Sequence, residues 1–551
     1  MSIRQTQSTA SPAQKRGSVL SKVAFALSGA AMTLLLSQGG SLLFIGAGVV
    51  LSFLACLIAA FRFSLPERVL RKPAPLSLAL GVVLAGSTAL LYRAEFARTA
   101  NEVFVGFLTK AHLVSLVNIV RAALPDIVCI LALFALFTWF YLLSDAAVRF
   151  VRRWIASSCR AEQLYLLIGS AIAVVAIVLV YSQTTAFLGG GTPYDVVYTT
   201  DSGNLVSTNS FFYVNAYEND IRQPLFAVFS MPFAVVSMLL GKLLFFVPNA
   251  YMLVLACVQA VLLLFGFTLF ARVLGLDGTD RVLFLLLLAV SYPTLLFLFT
   301  VEQYVFSVFW VFVLLYVWHE RGQNRALPFV AASGSLLTSG VLFPLLLEEK
   351  SAKERVRALL SGGLAFLAVF VVFARVPLLN RALQNVKDIA SFAGEAVSLP
   401  DRALQFFAFV SACFARPAAV VDLATYTHAS YQLLPVTGMH WLGLVLFALA
   451  LVSAALNWRD RSLRVCSLWA AFSVLLLFVV GWGASENGMV LYTLYFFWAY
   501  AALLYALLKR VLRENHRLRY AIVAAVICIL VCANAFGMLD LFRFAVQYYP
   551  V

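Results

Sequence analysis

Charge is what this 551-residue chain has least of: Asp, Glu, Lys and Arg make up 12% of it, against 63% hydrophobic residues. The mean hydropathy is +0.93. A soluble domain carries about 25% charge and about 45–50% apolar residues, so a water-soluble globular protein is excluded. Histidine is scarce as well. The five (His112, His319, His428, His440 and His516) contain no i, i+4 pair, and a zinc site is unsupported. Of the eight cysteines, Cys56, Cys129, Cys257, Cys466, Cys528 and Cys532 fall in apolar runs, where Cys behaves as a small hydrophobe. Cys413 falls in a segment expected outside, without a partner there for a disulfide. A cleavable signal peptide is not the expectation either: the polar start carries Arg4, Lys15 and Arg16, and a second span follows the first at once. No fixed-period repeat or inverted duplication is legible.

What is present is a series of apolar runs, each near the roughly 20 residues that cross a hydrocarbon core about 30 Å thick. The reading is an all-α polytopic bundle in the cell membrane. Lys and Arg number 40 and Asp and Glu 25, a formal charge of +15. In a soluble protein that excess would raise nucleic acid as a partner. Here it sits in short loops such as Arg149/Arg152/Arg153/Arg160, Lys350/Lys353/Arg355/Arg357 and Lys509/Arg510/Arg513/Arg517/Arg519, the positive-inside pattern, so the partner is the bilayer and no nucleic acid is expected.

With the N-terminus in the cytoplasm, spans are expected at 20–38, 41–61, 75–92, 126–144 and 164–184, with 93–124 as an amphipathic segment on the outer surface. The polar stretch from about 188 to 224 then lies outside. Counting 225–246 as a crossing would turn the later basic loops outward, so it is read as a helix along the outer surface. Spans follow at 249–272, 282–299, 303–319 and 358–376. Segment 326–347 is read as two half-helices broken at Thr338-Ser339-Gly340, which keeps both flanks inside. A long outer segment, 377–439, with an amphipathic patch at Leu404–Phe414, precedes spans at 440–458, 465–482, 489–508 and 520–538, and the C-terminus falls outside. The sum is about 13 crossings plus one broken pair. Residues 1–160 form an appended region of about four spans, and 161–551 a second module with outer loops 188–248 and 377–439.

Chemistry concentrates in the first outer loop, where Asp195, Asp201, Asn209, Glu218, Asp220 and Arg222 stand beside a Gly-rich turn and several aromatics. Carboxylates beside a low-dielectric boundary carry a desolvation cost and tend to be functional, although a solvated loop also contains acids. Glu218 and Asp220 admit two readings: hard-oxygen ligands for a divalent cation such as Mg or Mn, or a hydrated turn paired with Arg222. Glu302 opens a span at the outer surface, either facing the same cavity or simply favoured by the helix dipole. Glu486 and Tyr492 are further candidates near the outer face, Tyr492 with Tyr495 as a sugar-stacking surface or as packing. Trp441, Trp458 and Trp482 read as an interfacial belt.

A span, an acidic outer loop, Arg222-Gln223-Pro224-Leu225 opening a surface helix, and a span ending Ala271-Arg272 follow in that order. This order resembles the C-type membrane glycosyltransferases (the GT-C fold), over about residues 164–540. Two departures stand out: the adjacent Asp-Glu pair of that family is absent, and the broken-helix segment has Ser and Thr where a Lys is common. The resemblance implies sugar transfer from a polyprenyl-phosphate-linked donor to a glycan, lipid or protein acceptor of the cell envelope, at the extracytoplasmic face. The residues suit it. An acceptor hydroxyl needs a carboxylate to take its proton, a role for Asp201. The leaving phosphate needs a cation, a role for Arg222, whose guanidinium can bind it bidentately. Single displacement then inverts the anomeric centre. Three other functions stay open: a lipid-linked sugar flippase, which should carry mid-span charge and related halves; an O-antigen-type polymerase, for which Arg381, Arg402 and Arg416 in the late outer loop speak; and a non-catalytic membrane scaffold, for which loop 188–224 would be dispensable.

Overall fold

The computed structural model describes residues 12–37, 42–63, 74–192, 196–198, 200–214, 222–320, 325–347, 351–376, 378, 397–417, 419–422, 427–431, 436–484 and 488–551. Among these, helices dominate and strands form one two-stranded hairpin. Eleven helices are long and apolar enough to cross a bilayer, or up to 13 if each of two bent pairs counts as one span. The chain is an all-α, multi-pass membrane protein, in which helices satisfy the backbone where water cannot.

The chain divides into two compact units. The first, Met1–Ser157 with Glu349–Leu378, holds α1 (Pro12–Leu36), α2 (Leu42–Phe63), α3 (Pro75–Leu91), α4 (Arg93–Ala100), α5 (Gly106–Lys110), α6 (Val114–Ser157) and the later helix Ala352–Val372. Small residues let its helices approach closely. A Cβ at Gly29 would lie 2.4 Å from Cys56 Sγ, and one at Gly81 3.0 Å from the Tyr141 Cα. The Ser52 hydroxyl lies 2.5 Å from Thr33 Oγ1, leaving the Thr33 proton for the Val372 carbonyl at 3.0 Å, one of the helix-end carbonyls without an intrahelical donor. That contact explains a difference from the sequence reading: the helix Ala352–Val372, assigned there to the second module, packs on α1 and α2. The expected surface segment 93–124 is helical too, and α6 runs 44 residues, about 66 Å, well beyond the expected span at 126–144.

The second unit comprises Ser158–Glu348 and Leu379–Val551. It contains α7 (Arg160–Tyr181), α8 (Ser202–Ser207), α9 (Phe226–Leu243), α10 (Ala250–Val273), α11 (Gly278–Val290), α12 (Tyr292–Phe299), α13 (Gln303–His319) and α14 (Ala326–Ser335). A 3-10 helix, Leu337–Leu346, follows α14. Then come α15 (Leu399–Ala412), the antiparallel strands β1 (Ala419–Asp422) and β2 (His428–Tyr431), α16 (Gly438–Leu456), α17 (Arg461–Ser473), α18 (Thr493–Val511) and α19 (His516–Tyr548).

Its core is built on α10, α13 and α18, which run in the same direction. Ring contacts Phe267–Phe312, Tyr304–Tyr495 and Phe270–Trp498 join them at 6.0, 4.9 and 4.9 Å. Helix α13 is apolar on every face, and 15 of its 17 residues are buried, so the run expected as a span is surrounded by protein and not by lipid. The expected span 282–299 is bent by 57° between α11 and α12, where Ser291 is extended and Pro293 opens the next helix. Helix α9 has the length and apolarity of a span, with over half of it buried, beyond what a surface-lying helix requires. The break expected in 326–347 is present; it falls at Leu336, which is extended at φ −149°, ψ 99°.

Candidate functional site

Three consecutive glycines turn the chain after α7. Gly189, Gly190 and Gly191 all have positive φ, at 82°, 60° and 73°, a region closed to most side chains. A Cβ on Gly189 would sit 2.3 Å from Gly203 Cα, and one on Gly190 2.4 Å from the Tyr549 ring. The turn therefore presses on the start of α8 from one side and on the end of the chain from the other. Thr185 N donates to the Tyr549 carbonyl at 2.9 Å, Thr184 Oγ1 donates to the same carbonyl at 2.6 Å, and the Tyr549 hydroxyl donates to Thr427 O at 2.5 Å. The hairpin joins in through Tyr198 N, which donates to Ala429 O at 2.8 Å, and the Tyr198 and Tyr431 rings stack at 4.0 Å.

This frame fixes Asp201, the residue before α8. It makes no side-chain bond to its own helix; its Oδ2 accepts from Gln303 Nε2 at 3.4 Å instead. Gln303 is the first residue of α13, and Glu302, fully buried, caps that helix by accepting the Gln303 amide at 3.1 Å. The Glu302 backbone N–H donates to Gln259 Oε1 at 3.3 Å, and Gln259 Nε2 donates to Thr300 O at 3.3 Å. Gln259 lies about 14 Å along α10 from Ala250, so α13 begins at depth and not at the rim.

Arg222 arrives from the other end of the loop. Its carbonyl accepts Leu337 N at 2.8 Å, and Leu225 N donates to Gly334 O at 2.8 Å. The Arg222–Leu225 strip thus supplies the backbone bonds that the break between α14 and the 3-10 helix lacks. A Cβ on Gly334 would lie 2.7 Å from the Leu225 Cβ. Ser307 Oγ donates to Ser335 O at 2.9 Å, tying the same break to α13.

Tyrosines join the two arms. Tyr304 is in electrostatic reach of Asp201, Glu302 and Tyr492, and Tyr495 in reach of Glu302 and Arg222. Trp482 Nε1 donates to the Tyr492 hydroxyl at 3.0 Å, while a Cβ on Gly483, at φ 75°, would meet the Tyr492 ring at 2.9 Å. Around this nest several buried polar atoms have no hydrogen-bond partner among the described residues: Ser202 Oγ, Gln223 Oε1, Gln303 Oε1, Ser335 Oγ and Thr493 Oγ1. Each such group is costly in an apolar interior unless a polar ligand or water meets it.

Of the residues expected from sequence, Asp201, Arg222, Glu302 and Tyr492 come together. Asn209 does something else: it turns the chain at φ 49° and accepts the Tyr251 hydroxyl at 2.8 Å. Asp195, Glu218, Asp220 and Glu486 lie outside the described residues. Among the described residues no three His, Cys, Asp or Glu gather as a metal-holding group. Gln303 and Gln259 escaped the sequence reading. A polar Gln259 inside Leu255-Ala256-Cys257-Val258-Gln259-Ala260-Val261 was the available signal.

The opposite ends of these helices carry charge of another kind. Buried Glu162 accepts from Arg272 Nη2 at 2.6 Å and Nε at 3.0 Å, and from Arg281 Nη1 at 2.9 Å. Arg281 also pairs with Asp277 at 3.0 Å. Asp280 accepts from Arg519 Nη2 at 2.8 Å and from the Tyr505 hydroxyl at 2.7 Å.

No protein-family model matches the chain, and comparison with curated proteins and with solved structures gives no match.

Proposed function

We propose that the second unit is an integral-membrane glycosyltransferase that moves a sugar from a polyprenyl-phosphate donor to an envelope acceptor at the extracytoplasmic face. The observation that carries this reading is that Asp201 stands in electrostatic reach of Tyr304 and Arg222 in reach of Tyr495, two tyrosines whose rings lie 4.9 Å apart. In the reaction, the acceptor hydroxyl oxygen attacks the anomeric carbon and its proton passes to the Asp201 carboxylate. The bond from that carbon to the phosphate oxygen breaks, and the electron pair leaves with polyprenyl phosphate, whose charge Arg222 offsets. Attack opposite the leaving group inverts the centre. The Gln303 amide, which donates to Asp201 Oδ2 at 3.4 Å, helps to orient that carboxylate.

In membranes carrying the full chain, Asp201→Asn should lower incorporation of radiolabelled sugar from the lipid-linked donor by about 10²–10⁴-fold, with insertion unchanged. Undiminished incorporation contradicts the role of Asp201. Passage of the lipid-linked sugar across vesicles without a new glycosidic bond would favour a flippase instead.

A further inference from the structure

Tyr198, three residues before Asp201, keeps a backbone that its side chain disfavours. Its φ is 56°, in the left-handed region where a bulky residue is an outlier. Such a conformation persists only where the surroundings determine it, and it gathers at functional sites. The neighbours determine it here. The Tyr198 amide donates to Ala429 O at 2.8 Å and Ala429 N donates to Val196 O at 3.0 Å, so residues 196–198 lie beside β2. The Tyr198 ring lies parallel to that of Tyr431, with centroids 4.0 Å apart and 2° between the planes. Past Tyr198, the Thr200 hydroxyl donates back to Val197 O at 2.7 Å, closing the turn that delivers Asp201.

Tyr431 is itself held by a buried polar hub. Asn534, inside α19 and fully buried, donates through Nδ2 to Val290 O and to Phe414 O, each at 2.8 Å, and accepts Arg416 N at 2.9 Å. Val290 ends α11, and Tyr292, which opens α12, donates its own amide to Phe414 O at 3.0 Å. Asn534 thus joins the bend between α11 and α12 to the chain leaving α15. Three residues past Arg416, Ala419 pairs with Tyr431 across the hairpin. The Tyr292 hydroxyl lies 3.5 Å from that of Tyr431, and Tyr198 is in its reach as well. All three tyrosines are buried. A buried polar network whose members are satisfied specifies one arrangement.

We infer that Tyr431 is a positioning residue for Asp201: its ring, set by Asn534 and Tyr292, keeps Tyr198 left-handed and so fixes where the carboxylate stands. What that carboxylate does rests on the glycosyl-transfer reading; the hold on the loop does not. Arg222 is held by other elements, through Leu337 N on its own carbonyl and through Leu225 N on Gly334 O. Disturbing the tyrosines should therefore move the proton acceptor and leave the phosphate side in place.

The test compares Tyr431→Phe, which keeps the ring and removes the hydroxyl, with Tyr431→Leu, which keeps apolar bulk and removes the stack. Both are made in the full chain with its native cysteines replaced and with Ser202→Cys, a buried position next to Asp201, as reporter. In detergent, N-ethylmaleimide should label the reporter at least about tenfold faster in Tyr431→Leu than in Tyr431→Phe or the parent, with thermal unfolding unmoved, because only the local opening is altered. Without the reporter, in membranes, Tyr431→Leu should lower incorporation of radiolabelled sugar from the lipid-linked donor by about 10–10²-fold, as misplacement by about 1 Å can. Tyr431→Phe should retain most of it. Should Tyr431→Leu not fold, Tyr198→Gly removes the same stack from the other side, and the same pattern is expected. Labelling that ignores the loss of the stack overturns the inference, as does faster labelling with undiminished incorporation, or a loss in Tyr431→Phe as large as in Tyr431→Leu. If the parent incorporates no sugar while labelling still responds to Tyr431→Leu, the glycosyl-transfer reading falls and the hold on the Asp201 loop stands.

Discussion

The two ends of the second unit hold their carboxylates differently. At the end where α7 and α11 begin and α10 stops, Glu162 is held by two arginines and Asp280 by an arginine and a tyrosine. At the other end, Asp201 is met by an amide at 3.4 Å, and buried polar atoms around it stand without partners among the described residues. Both ends belong to the same helices, some 25–35 Å apart at 1.5 Å per residue, so length and hydropathy cannot explain the contrast. Occupied carboxylates hold helices together and have no oxygen to offer a substrate. The buried donors and acceptors left unmet among the described residues near Asp201 and Arg222 are groups that a polar ligand or water would satisfy.

Exchanging the two kinds of carboxylate for their amides should break the comparison most sharply. Asp201→Asn is expected to remove transfer by about 10²–10⁴-fold, while the thermal unfolding of the detergent-solubilised protein stays where it was. Glu162→Gln is expected to do the reverse. Breaking one partner of a buried pair costs about 3–5 kcal/mol, so unfolding shifts to lower temperature, and whatever fraction remains folded keeps its turnover per molecule. Equal behaviour of the two variants would erase the distinction.

Smaller effects sharpen it. Gly189→Ala forces a side chain into a left-handed position 2.3 Å from Gly203 Cα, so the Asp201 loop must move. A penalty of about 1–2 kcal/mol for the backbone alone predicts at least about tenfold slower transfer, read in the same assay. Tyr549→Phe removes one hydrogen bond, to Thr427 O, with a net worth of about 1 kcal/mol. A loss of about fivefold or less is expected, with the paired end and its contribution to stability untouched.

Much of the architecture was legible because run length is nearly sufficient for a membrane helix, and even the broken pair in 326–347 could be anticipated from the basic charge on both its flanks. Helix α13 was not, since a run apolar on every face looks the same whether lipid or protein surrounds it. The helix Ala352–Val372 could not be assigned to the first unit from sequence, because the Thr33 contact joins residues more than 300 positions apart. In the site, Asp201 and Arg222 stood out as polar residues at an apolar boundary. Their meeting through Gln303, Tyr304 and Tyr495 depends on where α13 and α18 begin, which no local pattern encodes. Asn209 shows the converse: a polar loop residue that the sequence offered as functional and that holds a turn.

In the proposed reaction donor and acceptor meet outside the cell at the Asp201 end, and sided labelling tests that most directly. With the native cysteines replaced, Ser207→Cys, on the exposed side of α8, and Glu514→Cys, exposed just before α19, put one thiol at each end of the second unit. A membrane-impermeant maleimide added to intact cells should label Ser207→Cys, and should label Glu514→Cys only after the membrane is opened. Labelling of Glu514→Cys in intact cells while Ser207→Cys stays protected would place the Asp201 end in the cytoplasm and contradict the account.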